Sequence, residues 1–290
     1  MSVGGSSGGT RLSRRVRILG YAVGAPARER EDQVAVEEPL QIRVAAWGER
    51  DRVELTVTMR TPGHDFELVA GFLVGEGIVR TAEQIATMRY CAGTDEEGTQ
   101  TFNVVDVTLA AGMPPLPPSA ARRVTTTSAC GICGTTSIDQ VRRAAPPTHR
   151  DSARLRLAVG VLLRLPEQLR AGQALFARTG GVHAAGVFTA HGDALVVRED
   201  VGRHNAVDKV VGRSLLDGTL PLSDAVLQVS GRASFELVQK AWLAGIPVLA
   251  AVGAPSSLAV ELAREAGITL VAFSRGDRFN VYTHPERVEP

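Results

Sequence analysis

Cysteine is scarce in this 290-residue chain, which contains only three. Three thiols cannot form a paired disulfide framework, so a reducing cytoplasm is the simpler setting, with thiols free for chemistry. An excess of one charge is also missing. Thirty-two Lys and Arg face 31 Asp and Glu, a formal net charge of +1. No global field therefore favours nucleic acid, and basic residues matter only where several converge on a phosphate. No apolar run reaches the roughly eighteen residues that a membrane span needs. Neither G-x-G-x-x-G nor G-x-x-x-x-G-K-S/T occurs, which excludes a dinucleotide fingerprint and a P-loop. What is present, 44% hydrophobic and 22% charged residues, is the make-up of a soluble globular protein. At this length one large domain plus a smaller one is expected.

The chain opens on a Gly/Ser-rich stretch, and residues 1–15 read as a disordered tail. SRRVRILGYAVGAPA follows, a loose match to a twin-arginine export signal through Arg14 and Arg15. Arg17, Gly20 and Gly24 interrupt its apolar core, so the reading taken is a tail leading into an edge strand over 16–23.

Residues 16–118 read as a small α+β unit. Leu40, Ile42 and Val44 alternate with polar neighbours, as do Val53, Leu55, Val57 and Met59, which predicts two half-buried strands joined as a hairpin. Phe66, Val69, Ala70 and Leu73 share one helical face, and Gly75 and Gly77 end that helix. A strand over 102–109 and a Pro-rich linker, GMPPLPP, complete the unit. Residues 119–150 read as a mobile cysteine loop. From 151 to 290 strands alternate with helices, which argues an α/β layer with a mostly parallel sheet. A helix is expected over 166–178, a hairpin over 185–198 and a helix over 205–216. Strands are then expected over 225–229, 247–252 and 268–273, with helices over 235–244 and 257–266.

The most informative chemistry is Cys130 and Cys133 in TTTSACGICGTTSID. Two thiols at this spacing can share a metal, a disulfide or a transferable sulfur atom. Structural zinc needs four ligands, and only Cys91 and scattered histidines could complete the set; Tyr90–Cys91 reads as an isolated, buried thiol. A thioredoxin-type pair usually opens a helix directly behind a strand, whereas this pair sits in a Thr/Ser/Gly-rich loop. An inert buried pair fits poorly with glycines beside both cysteines. The favoured alternative is a sulfur-handling loop, in which a thiolate takes up a sulfane sulfur, holds it as a persulfide and passes it on.

Ligands of open α/β sheets sit outside the carboxyl ends of strands. Three polar clusters fall there: EDVGRHN, SGRAS and FSRGDR. Asp200, Arg203, His204, Asn205, Asp208 and Lys209 crowd one helix start, where a solvated face accounts for Asp208 and Lys209. Arg232, Arg275 and Arg278 are candidates for phosphate or guanine contacts. His183, in TGGVHAAG, reads as structural, or else as a ligand or proton carrier, and Gly180–Gly181 as a tight turn or a close backbone approach to a ligand.

The stretches EEPLQIRV, MRTPGHDFELVAGFLVGEGI, SACGICG, TGGVHAAG, REDVGRHNAVDKVVG, SGRASFELVQKAWLAGIPVLAAVGAPSSLAVELA and GITLVAFSRGDRFNVYTHP resemble, in order, the formate dehydrogenase accessory protein (FdhD) family. The resemblance implies a cytoplasmic sulfurtransferase that takes sulfur from a cysteine desulfurase. It would deliver that sulfur to the molybdenum cofactor, bis-molybdopterin guanine dinucleotide, before insertion into formate dehydrogenase. It also implies a homodimer and a cytidine-deaminase-like three-layer α/β domain beside the smaller N-terminal α+β domain. Carried over by position, Cys130 matches the persulfide-bearing cysteine and Cys133 its partner. Phe273, Ser274, Arg275, Gly276, Asp277 and Arg278 match the segment that contacts the guanine-dinucleotide cofactor, which a guanine nucleotide is expected to mimic. No resident metal, nucleic-acid partner or membrane is implied. A zinc deaminase is disfavoured, because it needs H-x-E and then P-C-x-x-C, whereas His183 is followed by Ala184 and Ala185. A chaperone that binds the cofactor without moving sulfur is the second hypothesis.

Overall fold

The computed structural model describes residues 12–91, 101–114, 116 and 155–290. The cysteine loop predicted over 119–150, with Cys130 and Cys133, lies outside the described residues.

The chain begins with a long antiparallel ribbon, β1 (Ser13–Ala22) and β2 (Ala25–Ala35), that forms a two-stranded sheet of its own. The strand expected over 16–23 is thus half of a hairpin. Its partner carries AREREDQ, whose charges give no apolar alternation to read.

A four-stranded sheet follows, built from β3 (Glu38–Ala45), β4 (Val53–Arg60), β5 (Ile85–Tyr90) and β6 (Val104–Leu109) in the order β4-β3-β6-β5. Leu40, Ile42 and Val44 are fully buried, as the alternation requires. Helix α1 (Asp65–Gly75) is buried on nearly every side, through Leu68, Val69, Ala70, Leu73 and Val74. Such a helix must be sandwiched rather than laid on a surface.

The helix expected over 166–178 is two helices, α2 (Val159–Ala171) and α3 (Ala174–Thr179). Pro166, expected at a helix start, instead lies inside α2. The remaining elements are β7 (Leu157–Ala158), β8 (His183–Thr189), β9 (Ala194–Asp200), α4 (Arg203–Leu216), β10 (Ala225–Val229), α5 (Phe235–Leu243), β11 (Val248–Ala251), α6 (Ser257–Ala266), β12 (Thr269–Arg275), β13 (Arg278–Thr283) and β14 (Val288–Glu289). Six of the strands form one sheet, in the order β13-β12-β11-β10-β8-β9.

That sheet is mixed rather than mostly parallel. β10, β11 and β12 run parallel, whereas tight turns fold β13 back on β12 and β9 back on β8, and β8 pairs antiparallel with β10. Alternation along each strand serves two cores. Ala185, Val187, Leu227, Leu249 and Leu270 face α4, α5 and α6; Ala184, Phe188, Val226, Val248 and Val271 face α2. The first core continues without a break through α1 into the four-stranded sheet.

The junction between the two sheets is the close crossing of α1 and α4. A Cβ on Gly71 would stand 1.8 Å from the Asp208 carbonyl oxygen, and one on Gly212 would stand 1.7 Å from that of Glu67. The backbones meet because neither position has a side chain. Among the described residues, no helix is long and apolar enough to cross a membrane.

Candidate functional site

The strand directions gather the predicted polar clusters at one end of the six-stranded sheet. β9, β10, β11 and β12 all finish there, and the oppositely directed β8 starts there with His183. Reading across the edge gives Asp200 to His204, His183, Ser230 to Ser234, Val252 to Ser256, and Phe273 to Arg278. The loops are tied backbone to backbone. Ser230 N donates to Ala184 O at 3.0 Å, Gly253 N to Gly231 O at 2.9 Å and Phe273 N to Gly253 O at 3.1 Å.

The acidic and basic residues of EDVGRHNAVDK divide into two groups. Asp200 is fully buried and organises the turn. It accepts from the backbone N–H groups of Thr61 and Gly202 and from Asn205 Nδ2, and pairs with Lys209 Nζ at 2.7 Å. Lys209 also donates to Thr61 O at 2.9 Å. Asp208 Oδ1 meets Lys240 Nζ at 2.6 Å. Asp208 and Lys209 are therefore buried scaffold and not a solvated helix face. Their charges are matched by buried partners, Lys240 on another helix for Asp208 and Asp200 at the end of β9 for Lys209.

Arg203 and His204 belong to the other group, which faces the edge. His204 Nε2 lies 3.4 Å from Ser234 Oγ and 3.5 Å from Glu236 Oε2. The hydrogen bond to His204 outweighs burial and holds the Glu236 carboxyl at about 2. His183 is half-buried, and burial followed by the charges of Arg203 and His204 pushes its pKa down, so its neutral imidazole is favoured.

Phe273–Arg278, the expected cofactor segment, spans the end of β12, its turn and the first residue of β13. Phe273 has φ of 53° and Gly276 of 62°. A left-handed phenylalanine is costly, and such strain clusters at functional sites. The β12–β13 register shifts across Ala272 to Arg275, so the strand bulges where the segment begins. Ser274 is fully buried and its Oγ has no hydrogen-bond partner among the described residues. The Arg275 guanidinium lies 5.8 Å from the Phe273 ring centroid.

Electrostatically the edge is mainly basic, with Asp277 an exposed carboxylate in the β12–β13 turn. Among the described residues, Arg203, Arg232, Arg275 and Arg278 form no ion pair with a carboxylate, whereas Arg43, Arg60 and Arg198 elsewhere are each paired. A chain of almost no net charge thus concentrates uncompensated cations where loops converge, an arrangement suited to an anionic ligand. Among the described residues no group of three His, Cys, Asp or Glu is placed to hold a metal. Cys91, expected to be buried, is half-buried. Sequence reasoning missed Ser234 and Glu236 as the partners of His204; an S-x-E at a helix start facing a conspicuous histidine was the available signal.

A sequence profile of the FdhD/NarQ family matches residues 35–289. The chain belongs to this family. The family match spans both larger sheets, the α1–α4 crossing and the whole charged edge, and begins at the last residue of β2. The sulfur carrier protein FdhD of Nocardia farcinica is 52% identical over 281 residues, covering 96% of this chain and 95% of its own. That of Streptomyces avermitilis is 52% identical over 278 residues and 96% of each chain. The FdhD of Thermoplasma volcanium is 44% identical over 260 residues, 90% of each. A crystal structure described as a formate dehydrogenase accessory protein, from Desulfotalea psychrophila, superposes with a TM-score of 0.72 at 27% identity, covering 96% of this chain and all of its own.

Proposed function

We propose that this member of the FdhD/NarQ family is a sulfur carrier serving formate dehydrogenase, with Cys130 as the sulfur-bearing residue. The single observation that supports it best is the cation-rich strand edge in a chain whose curated relatives are sulfur carrier proteins. Uncompensated arginines suit a polyanionic client, and C-x-x-C is the thiol pair available to carry its sulfur.

In the first step the Cys130 thiolate attacks the outer sulfur of a cysteine desulfurase persulfide. The desulfurase thiolate leaves and Cys130 holds S–SH, with no net redox change. In the second, the Cys133 thiolate attacks Cys130 Sγ. A Cys130–Cys133 disulfide forms, and the outer sulfur leaves as hydrosulfide for the metal of the client. The two thiols supply both electrons, and a thiol reductant resets the pair. Alternatively Cys133 merely assists.

The client on this reading is bis-molybdopterin guanine dinucleotide, with guanine against Phe273–Arg278. Ser274 Oγ, buried without a partner, and the strained Phe273 fit a segment completed by a ligand. The same proposal takes in a cytidine-deaminase-like larger domain, a homodimer and a cytoplasmic location.

The test is peptide mass spectrometry after incubation with a cysteine desulfurase and L-cysteine. The Cys130 peptide should gain the mass of one sulfur, lose it to a thiol reductant and fail to gain it in Cys130→Ala. If no cysteine gains sulfur while a guanine nucleotide still binds, the protein is a cofactor chaperone and the relay is wrong.

A further inference from the structure

We propose that His183, Arg203 and Gly231 form a second subsite on the charged edge, one that takes a phosphate or diphosphate group. It deepens the cofactor reading above and rests on it for the identity of the whole ligand, but not for the chemistry of the subsite.

Gly231 gives the first reason. Its φ is not in the left-handed region, so the backbone does not demand glycine there. A Cβ at this position would stand 3.5 Å from His183 Nδ1, 3.6 Å from His183 Cε1 and 3.9 Å from Arg203 Cδ, all ordinary contacts. Packing therefore does not demand glycine either. Gly253 on the neighbouring loop differs, since its Cβ would lie 3.1 Å from the Arg232 backbone. What glycine does at 231 is leave clear the space between an imidazole and an arginine.

Arg203 gives the second reason. Its Nε is buried and donates to nothing among the described residues. A donor left this way is costly unless a ligand accepts from it. Two carboxylates of this edge are committed elsewhere: Asp200 to Lys209 and the turn, Glu236 to His204. The His183 imidazole and the Arg203 side chain, from two elements, thus border one small floor, and neither Asp200 nor Glu236 is paired with Arg203. Oxyanions with several acceptor oxygens match such a set, and arginine forms its strongest hydrogen bonds with them.

Titration calorimetry on the full chain with inorganic pyrophosphate, GDP and guanosine tests the subsite. Wild type is compared with Gly231→Ala, Arg203→Gln and Arg203→Lys, with melting temperatures as the folding control. Pyrophosphate and GDP should each bind about tenfold more weakly, or worse, in Gly231→Ala and Arg203→Gln. Guanosine should be unchanged, and Arg203→Lys should recover part of the loss. Folded variants that bind both anions as wild type does would overturn the subsite. So would a wild type that binds guanosine but not pyrophosphate. Pyrophosphate binding that depends on Arg203, without any guanosine binding, would uphold the subsite and overturn the guanine reading. Should Arg203→Gln fail to fold, Gly231→Ala decides alone, because its added methyl meets only ordinary contacts.

Discussion

The residues of EDVGRHNAVDK show why charge is hard to read in one dimension. Asp208 and Lys209 are polar neighbours at a helix start, and sequence alone puts them in solvent. Asp208 meets Lys240, which α5 brings up from outside the motif, and Lys209 folds back on Asp200 at the end of β9; helical spacing alone announces neither pair. Arg203 and His204, in the first turn of the same helix, do face the edge as the motif suggested. FSRGDR reads as a polar cluster at a strand end, and resemblance alone picks out Phe273–Arg278 as the cofactor segment, whereas its strain at Phe273 and the orphaned Ser274 hydroxyl belong to three dimensions. The buried pairs give a test at this scale. Lys209→Met leaves Asp200 charged and buried without its ammonium, and should cost about 3–5 kcal/mol in urea unfolding. A loss below about 1 kcal/mol would show that the backbone donors around Asp200 suffice.

At the scale of elements, period was a good guide wherever one face was clearly apolar. β3, β4, α1, β10 and α6 were expected within a residue or two of where they lie. The misses have physical causes. Pro166 suggested a start, but α2 begins seven residues earlier and accommodates the ring in its interior. β2 is charged from Arg28 to Asp32, and it exists because β1 pairs with it along its length rather than because it buries a face. β13 was hidden behind a functional motif that reads as loop. The α1–α4 crossing was not legible at all, since a glycine gives no clue to what lies above it. Gly212→Ala should force the two backbones apart and cost about 3 kcal/mol or more. A variant with an unchanged thermal midpoint would mean that the helices can slide without loss.

Over the whole molecule, stability should depend on pH in two separate windows. Burial alone would raise the Glu67 carboxyl, yet hydrogen bonds from Arg198 and His64 hold it at about 2. The Arg198 fork, at 2.6 and 2.9 Å, joins β9 to α1. With Glu236, it contributes stability that is complete above about 4.5, the ordinary glutamate value, and is lost as pH falls towards 2. His183 acts in a higher window. Its pKa is depressed in the folded state, so the unfolded chain binds the proton first as pH falls through about 6.5. Stability should therefore decline from pH 7 to 5, and His183→Gln should flatten that decline in the urea midpoint. Equal slopes for both proteins would remove His183 from the account.

The backbone bonds that tie Ala184 to Ser230, Gly231 to Gly253 and Gly253 to Phe273 leave these loops little freedom to adjust on their own. From β12 to β8 the edge crosses three strand spacings, about 14 Å. That length is fixed by the sheet, not by side chains that could turn to suit a guest. On the proposed reading the edge acts as a ruler: it would tell two molecules apart by the distance between their ends even when those ends are chemically identical.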